Sequence, residues 1–259
     1  MNLSKKFILI IVDGVGIRDK MENNAFKLAK TPTFDKLFSN SPWSTLGASE
    51  QFVGLPKGIS GNSEIGHMTI GSGRVLKHDL VRINESISND NLKLNVNLIN
   101  YFKALKSRDG NLHLIGLVSD GGVHSNLSHI IPIIEIAQSY NVKNIYLHAI
   151  TDGRDTSPFD GVNYIKELEK NFKKYHNVEI ATIIGRYFAM DRDQRWERTE
   201  KAYRLFTENK GKIFTSSINA IEESYNNKIT DEFIEPIVLE KYKSNRMKSN
   251  DGILCFNFR

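Results

Sequence analysis

The sequence predicts an α/β protein in which helices are layered on a mostly parallel sheet. Three observations carry this. Apolar runs rich in branched residues recur at 7–12, 112–118, 144–150, 179–184 and 253–258. Longer amphipathic stretches lie between them. Motifs rich in Gly, Asp, Arg and His follow directly on the apolar runs. Strand–helix alternation of this kind favours parallel strands joined by crossover helices. In such folds ligands collect in the loops at the carboxyl ends of the strands.

The first run, Phe7-Ile8-Leu9-Ile10-Ile11-Val12, reads as a buried strand. It follows Lys5-Lys6, as the core of a secretion signal would. However, it ends at Asp13-Gly14 with no small-residue cleavage pattern behind it. It is too short to span a bilayer, and no other stretch is long and apolar enough, so a cytoplasmic location is expected. Residues 33–38 predict a helix, and residues 64–70 another, with Asn62 or Ser63 near its cap. Amphipathic spacing predicts further helices over 79–88, 95–107, 127–139, 161–175, 195–207 and 217–226. Asn- and Lys-rich stretches at 91–100 and 222–250 read as solvated faces and loops. The single cysteine, Cys255, lies in the run Ile253-Leu254-Cys255-Phe256. It excludes an internal disulfide framework and predicts a buried thiol in a strand.

The formal net charge is +5, from 35 Lys and Arg against 30 Asp and Glu. That balance suits nucleic acid, an anionic membrane surface or a small anionic substrate. Most lysines are scattered along helical stretches, whereas several arginines fall in short motifs. Trp43, Trp196 and the tyrosines are not interleaved with basic residues, as a stacking platform for nucleic acid requires. No P-loop, dinucleotide-binding turn or zinc finger is present.

Three groups of residues carry chemistry. Asp13-Gly14-Val15-Gly16 places a carboxylate after the first run, where a plain turn is the simpler reading. Gly61-Asn62-Ser63-Glu64-Ile65-Gly66-His67 sets a hydroxyl at a helix N-terminus, among free backbone N–H groups that suit a phosphate. A plain N-cap serine is common there too. No Gly-x-Ser-x-Gly elbow surrounds Ser63, which disfavours a hydrolase triad. The third group follows three successive strands. It comprises Ser119-Asp120-Gly121-Gly122-Val123-His124, Asp152-Gly153-Arg154-Asp155-Thr156, and Gly185-Arg186 through Arg192-Asp193. Guanidinium groups match carboxylate and phosphate oxygens through paired N–H donors. Together these motifs describe a pocket for a small, multiply anionic, hydroxylated molecule.

In order and over nearly the whole chain, these stretches resemble the 2,3-bisphosphoglycerate-independent phosphoglycerate mutases. Ala29-Lys30-Thr31-Pro32-Thr33-Phe34-Asp35, Val53-Gly54-Leu55-Pro56, Arg195-Trp196-Glu197-Arg198 and the closing Phe256-Asn257-Phe258-Arg259 add to the match. Val15 stands where the family usually has tryptophan. The resemblance implies part of an alkaline-phosphatase-like three-layer α/β domain over residues 1–76. It implies most of an inserted α/β phosphotransferase domain over 77–259, incomplete at its C-terminus. Ser63 would be the phosphorylated nucleophile, and Asp13 and Ser63 would be ligands of one of two divalent metal ions, manganese in bacterial members. His124, Arg154, Asp155, Arg186, Arg192 and Arg259 would bind substrate.

The implied reaction interconverts 3-phosphoglycerate and 2-phosphoglycerate through a phosphoserine, without 2,3-bisphosphoglycerate as cofactor. The implied partner is the small-molecule substrate, with no nucleic acid and no membrane, and the protein is expected to be a monomer. Retention of glycerate falls to the arginines, and water exclusion to a closure hinged near residues 71–74. The family continues beyond the position of Arg259 with most of its metal ligands. The 259-residue chain is therefore expected to be inactive alone. The alternatives are a non-catalytic fragment or pseudogene product, or another metal-dependent phosphomutase or phosphatase of the same superfamily.

Overall fold

A computed structural model describes residues 6–259. The chain divides into two compact units, Met1–His78 and Asp79–Arg259.

The second unit is mixed α/β. Its strands are β1 (Leu112–Val118), β2 (Ile145–Thr151), β3 (Val178–Gly185), β4 (Lys212–Phe214), β5 (Ile237–Leu239) and β6 (Gly252–Cys255). They form one sheet in the order β4-β5-β3-β2-β1-β6. β6, β1, β2 and β3 run parallel, β5 is antiparallel to β3, and β4 is parallel to β5. β2 is buried at every position, as expected of a central parallel strand covered on both faces. On one face Leu112, Leu114, Ile145, Leu147 and Ile183 pack in a core that includes Phe102 and Leu105, Ile130 and Ile134, Ile165 and Leu168, and Ile221. These come from the helices Val96–Ser107, Ile130–Ser139, Gly161–Phe172 and Ser217–Asn226. On the other face Leu117, Tyr146, Ile150 and Ile184 pack with Ala202 and Leu205 of the helix Trp196–Glu208 and with Tyr242.

A buried polar chain crosses the second face. Asp251 Oδ2 lies 3.2 Å from His113 Nε2, His113 Nδ1 2.9 Å from His148 Nε2, and His148 Nδ1 2.8 Å from Thr182 Oγ1. The Asp251 carboxylate can only accept, so each bond fixes the next. His113 carries its proton on Nε2, His148 on Nε2, and the Thr182 hydroxyl donates to His148. A register shift at Leu147/His148 sets His148 opposite Thr182 and leaves out Ala181.

Two expectations for this unit are corrected. The stretch 222–250 is not a solvated loop. It contains β5 and buries Asp231, Ile234, Val238 and Tyr242. Cys255 lies in a strand but is exposed, because among the described residues β6 is an edge strand paired only with β1. β4 was missed, being three residues long and largely exposed.

In the first unit the described elements are the helices Ala25–Leu28, Pro32–Asn40 and Ser63–Ser72 and a 3-10 turn, Glu50–Val53. Val53, Leu55 and Ile65 form its small core. Gly54, at φ 79°, closes the turn against residue 76. A Cβ there would meet the Leu76 carbonyl oxygen at 1.9 Å, so only glycine fits. Residues 7–12 form no strand, correcting the expected buried one, and Phe7 is 91% exposed. An apolar run becomes a strand only when a neighbour takes its N–H and C=O groups. Among the described residues none pairs with it.

Candidate functional site

The carboxyl ends of β1, β2 and β3 turn over into three loops that meet. After β1 the chain folds back on itself. Ser125 Oγ donates to the Leu117 carbonyl at 2.5 Å and Leu127 N to the Ser119 carbonyl at 2.8 Å, which presents His124 at the loop tip. After β2, Asp152 closes an Asx-type turn. Its Oδ1 accepts from Arg154 N at 3.2 Å and Asp155 N at 3.0 Å. After β3, Arg186 opens the one-turn helix Arg186–Ala189 and reaches back across the other two loops. Its Nη1 donates to Asp152 Oδ1 at 2.7 Å and to Asp155 Oδ2 at 2.6 Å, and its Nη2 to His124 Nε2 at 3.1 Å. The segment after β6 is stitched to the same place. Asn257 Oδ1 accepts from Leu117 N at 2.9 Å, and Phe258 N donates to the His124 carbonyl at 2.8 Å.

These loops bound a cavity of about 190 Å³ lined by His124, Arg154, Arg186 and Arg192. That is below the ~300–1,000 Å³ of pockets for drug-sized ligands, so it suits a small molecule. Asp155 joins the site through Arg186 and lies 3.4 Å from His124 Nε2. Arg259 joins it through its charge, which acts on His124. All six residues expected to bind substrate therefore belong to one neighbourhood.

Burial and charge set the protonation states. Burial opposes the charge on Arg186, but hydrogen bonds to Asp155 and Asp152 outweigh it and raise its pKa. Burial likewise works against ionised Asp152, and the Asp155 N–H, Ser119 hydroxyl and Arg186 overcome it and lower its pKa. His124 is shifted down, first by burial and then by the Arg186 charge, with Asp155 opposing. The imidazole is neutral at pH 7, consistent with its Nε2 accepting from a guanidinium that can only donate.

Sequence reasoning passed over several residues at this cavity. Arg198 lines it, sits 3.8 Å over the Tyr187 ring, and pairs at 3.0 Å with Asp191, whose side chain is 3% exposed. Glu232 also lines it, 3.8 Å from Arg154. Arg198 closes the Arg195-Trp196-Glu197-Arg198 motif, and its place in the first turn of a helix six residues after Arg192 was the available signal. Glu232 lies in the stretch read as solvated, and no local pattern marks it.

Asp13 and Ser63 belong to the first unit and both are exposed. Asn62, not Ser63, caps the helix, its Oδ1 accepting from Ile65 N at 3.1 Å. Ser63 is the first helical residue, and its carbonyl lies 2.6 Å from His67 Nδ1. A carboxylate and a hydroxyl are hard oxygen donors, the chemistry that suits manganese or magnesium. Two donors alone do not make up a ligand set. Among the described residues no group of three or more His, Cys, Asp or Glu could hold a metal ion.

Residues 83–259 match the sequence model of the family described as BPG-independent PGAM N-terminus. Among curated proteins, the 2,3-bisphosphoglycerate-independent phosphoglycerate mutase of Clostridium novyi is 46% identical over 98% of this chain and 50% of its own length. That of Aliarcobacter butzleri is 48% identical over 99% of this chain and 50% of its own length. Among solved structures, Leishmania mexicana phosphoglycerate mutase at low cobalt concentration matches with a TM-score of 0.76 and 31% identity. That match covers 90% of this chain and 45% of the other. The chain thus spans about half the length of the curated relatives it matches.

Proposed function

The chain belongs to the family of BPG-independent phosphoglycerate mutases, and on that premise we propose that it supplies the serine nucleophile and the substrate-holding pocket for interconverting 3- and 2-phosphoglycerate. The observation that carries the proposal is the convergence of Arg154, Arg186, Arg192 and His124 on one small cavity past three parallel strands.

Ser63 Oγ attacks phosphorus, the bond from phosphorus to the 3-oxygen of the substrate breaks, and glycerate leaves with that oxygen. The helix Ser63–Ser72 begins at the nucleophile, so its free N–H groups favour the phosphoryl group that the serine then carries. Arg154, Asp155 and Arg192 hold the carboxylate and hydroxyls of glycerate, while Arg186, His124 and Arg259 meet the phosphate. Glycerate turns in place, and its 2-hydroxyl takes the phosphoryl group back. Divalent cations, manganese by family resemblance and held in part by Asp13 and Ser63, would supply positive charge that favours the ionised serine hydroxyl.

Residues 1–76 are read as phosphatase-domain sequence and 77–259 as inserted transferase domain. A monomeric protein of the cytoplasm suits this role. Among the described residues no helix is long and apolar enough to cross a membrane.

The test is an enolase-coupled assay. A protein that joins this chain to the second half of its relatives' length is expected to turn over 3-phosphoglycerate, and Ser63→Ala to abolish both turnover and phosphoryl labelling of the protein. The 259-residue chain is expected to bind 3-phosphoglycerate without turnover. Failure of the joined protein to act on either phosphoglycerate, with sugar phosphates accepted instead, would overturn the substrate assignment.

A further inference from the structure

We propose that Asp152 is a positioning residue: its carboxylate sets the plane of the Arg186 guanidinium toward the cavity and ties the loops after β1, β2 and β3 into one frame. This rests on reading the cavity as the place where a phosphorylated three-carbon acid binds.

Four donors converge on this carboxylate. Oδ2 accepts from Ser119 Oγ at 2.7 Å, beyond β1. Oδ1 accepts from Arg186 Nη1 at 2.7 Å, beyond β3, and from the backbone N–H groups of Arg154 and Asp155. The Asp152 side chain is 1% exposed, and the Asp155 side chain, bonded to the same Nη1, is 22% exposed. The two carboxylates therefore differ in kind. Asp155 stands at the solvent side, where an anionic ligand can compete with it for the guanidinium. Asp152 is saturated with donors and closed off from solvent, so no ligand replaces it.

An arginine left free samples many rotamers and binds an anion only after losing that freedom. Arg186 has already lost it, because one Nη1–H is committed to Asp152. The second Nη1–H goes to Asp155 and an Nη2–H to His124, so the guanidinium plane is set before a phosphate competes with the more exposed Asp155 for its donors. The Asx turn ties the same carboxylate to the backbone that carries Arg154 and Asp155, so one buried charge orders residues on both sides of the ligand.

The test is calorimetry on the full chain with 3-phosphoglycerate and, separately, with glycerate, alongside thermal unfolding of each variant. Asp152→Asn is expected to weaken 3-phosphoglycerate binding about tenfold or more, the worth of a hydrogen bond to a charged group. Asparagine keeps a side-chain oxygen for the Asx turn under Arg154 and Asp155, so glycerate, which lacks the phosphate, is expected to change far less. In an Arg186→Ala background the Asp152→Asn change is expected to add nothing for 3-phosphoglycerate, since Asp152 acts through Arg186. Ser119→Ala keeps the charge and removes one donor. It is expected to weaken 3-phosphoglycerate a few-fold, and it serves if Asp152→Asn does not fold. Equal losses for both ligands, or full additivity with Arg186→Ala, would show a general structural role and overturn the proposal. Wild-type chain that binds neither ligand would overturn the reading of the cavity, and with it this role. Wild-type binding that Arg186→Ala weakens and both other variants leave intact would overturn the positioning role alone.

Discussion

Arg186 donates to His124, Nη2 to Nε2 at 3.1 Å. A guanidinium has no acceptor, so the imidazole is neutral with its proton on Nδ1. A phosphate arriving at Arg186 brings negative charge to His124, whose pKa lies low in the free protein through burial and the Arg186 charge. Binding then raises that pKa and takes up a proton. The affinity of wild type relative to His124→Gln is therefore expected to increase as pH falls from about 8 to 6, the ligand's own titration cancelling in the ratio. Calorimetry of both proteins across that range checks it.

Asp191 and Arg198 hold the segment that carries Arg192. The Asp191 side chain is 3% exposed and accepts from Arg195 N at 2.9 Å as well as from Arg198. Asp191→Ala removes the nearer of two carboxylates from Arg198, which keeps Asp193 at 3.5 Å. It is expected to cost about 1–2 kcal/mol of stability, and to loosen glycerate binding in step with the displaced Arg192. Urea unfolding and glycerate titration measure the two effects.

The paired imidazoles on the second face make the sheet acid-sensitive. His113 and His148 are shifted down mainly by burial, and His129 falls to about 4 for the same reason. A histidine with a lowered folded pKa binds fewer protons folded than unfolded. Stability therefore holds above the unfolded value near 6.5 and is lost as pH drops below it, by up to about 1.4 kcal/mol per pH unit for each imidazole. His148→Gln is expected to flatten the slope between pH 6.5 and 5 in urea titrations.

Asp231 runs the other way. Burial raises it to about 6, against hydrogen bonds from Tyr225 and Gly161 N. A carboxyl with a raised folded pKa favours the fold while protonated. Its contribution is present below about 4 and lost as pH climbs through about 6. Asp231→Asn is expected to remove that trend, so the stability difference between variant and wild type shifts in favour of the variant from pH 4 to pH 7. Thermal unfolding at the two pH values reads it directly.

Much of the fold was legible because β1, β2 and β3 are covered on both faces, so burial wrote them as continuous apolar runs. The helices Asp79–Ser88 and Ser217–Asn226 were legible to the residue. β4 and β5 have three residues each, too few for any period to register. Residues 7–12 and Cys255 show the opposite error. Apolar character is local, but burial depends on what lies across the ladder, and neighbours are not written in the run itself. His124, Arg154, Asp155, Arg186 and Arg192 were visible because they follow strands in motifs of Gly, Asp and Arg, whereas Arg259, and the substrate role expected of all six, came from the family resemblance. Glu232 could not, because its place at the cavity comes from the close approach of residues 231–232 to Gly153, where a Cβ would meet the Glu232 nitrogen at 2.7 Å.

The cavity wall alternates in sign. Arg154, Arg186, Arg192 and Arg198 line it together with Asp191, Asp193 and Glu232. The protein thus carries its own counterions. A phosphoglycerate bound as proposed would trade places with tethered carboxylates instead of expelling dissolved anions into the bulk. Added salt screens both partners of such an exchange alike, so affinity depends on ionic strength far less than four guanidinium groups alone would suggest.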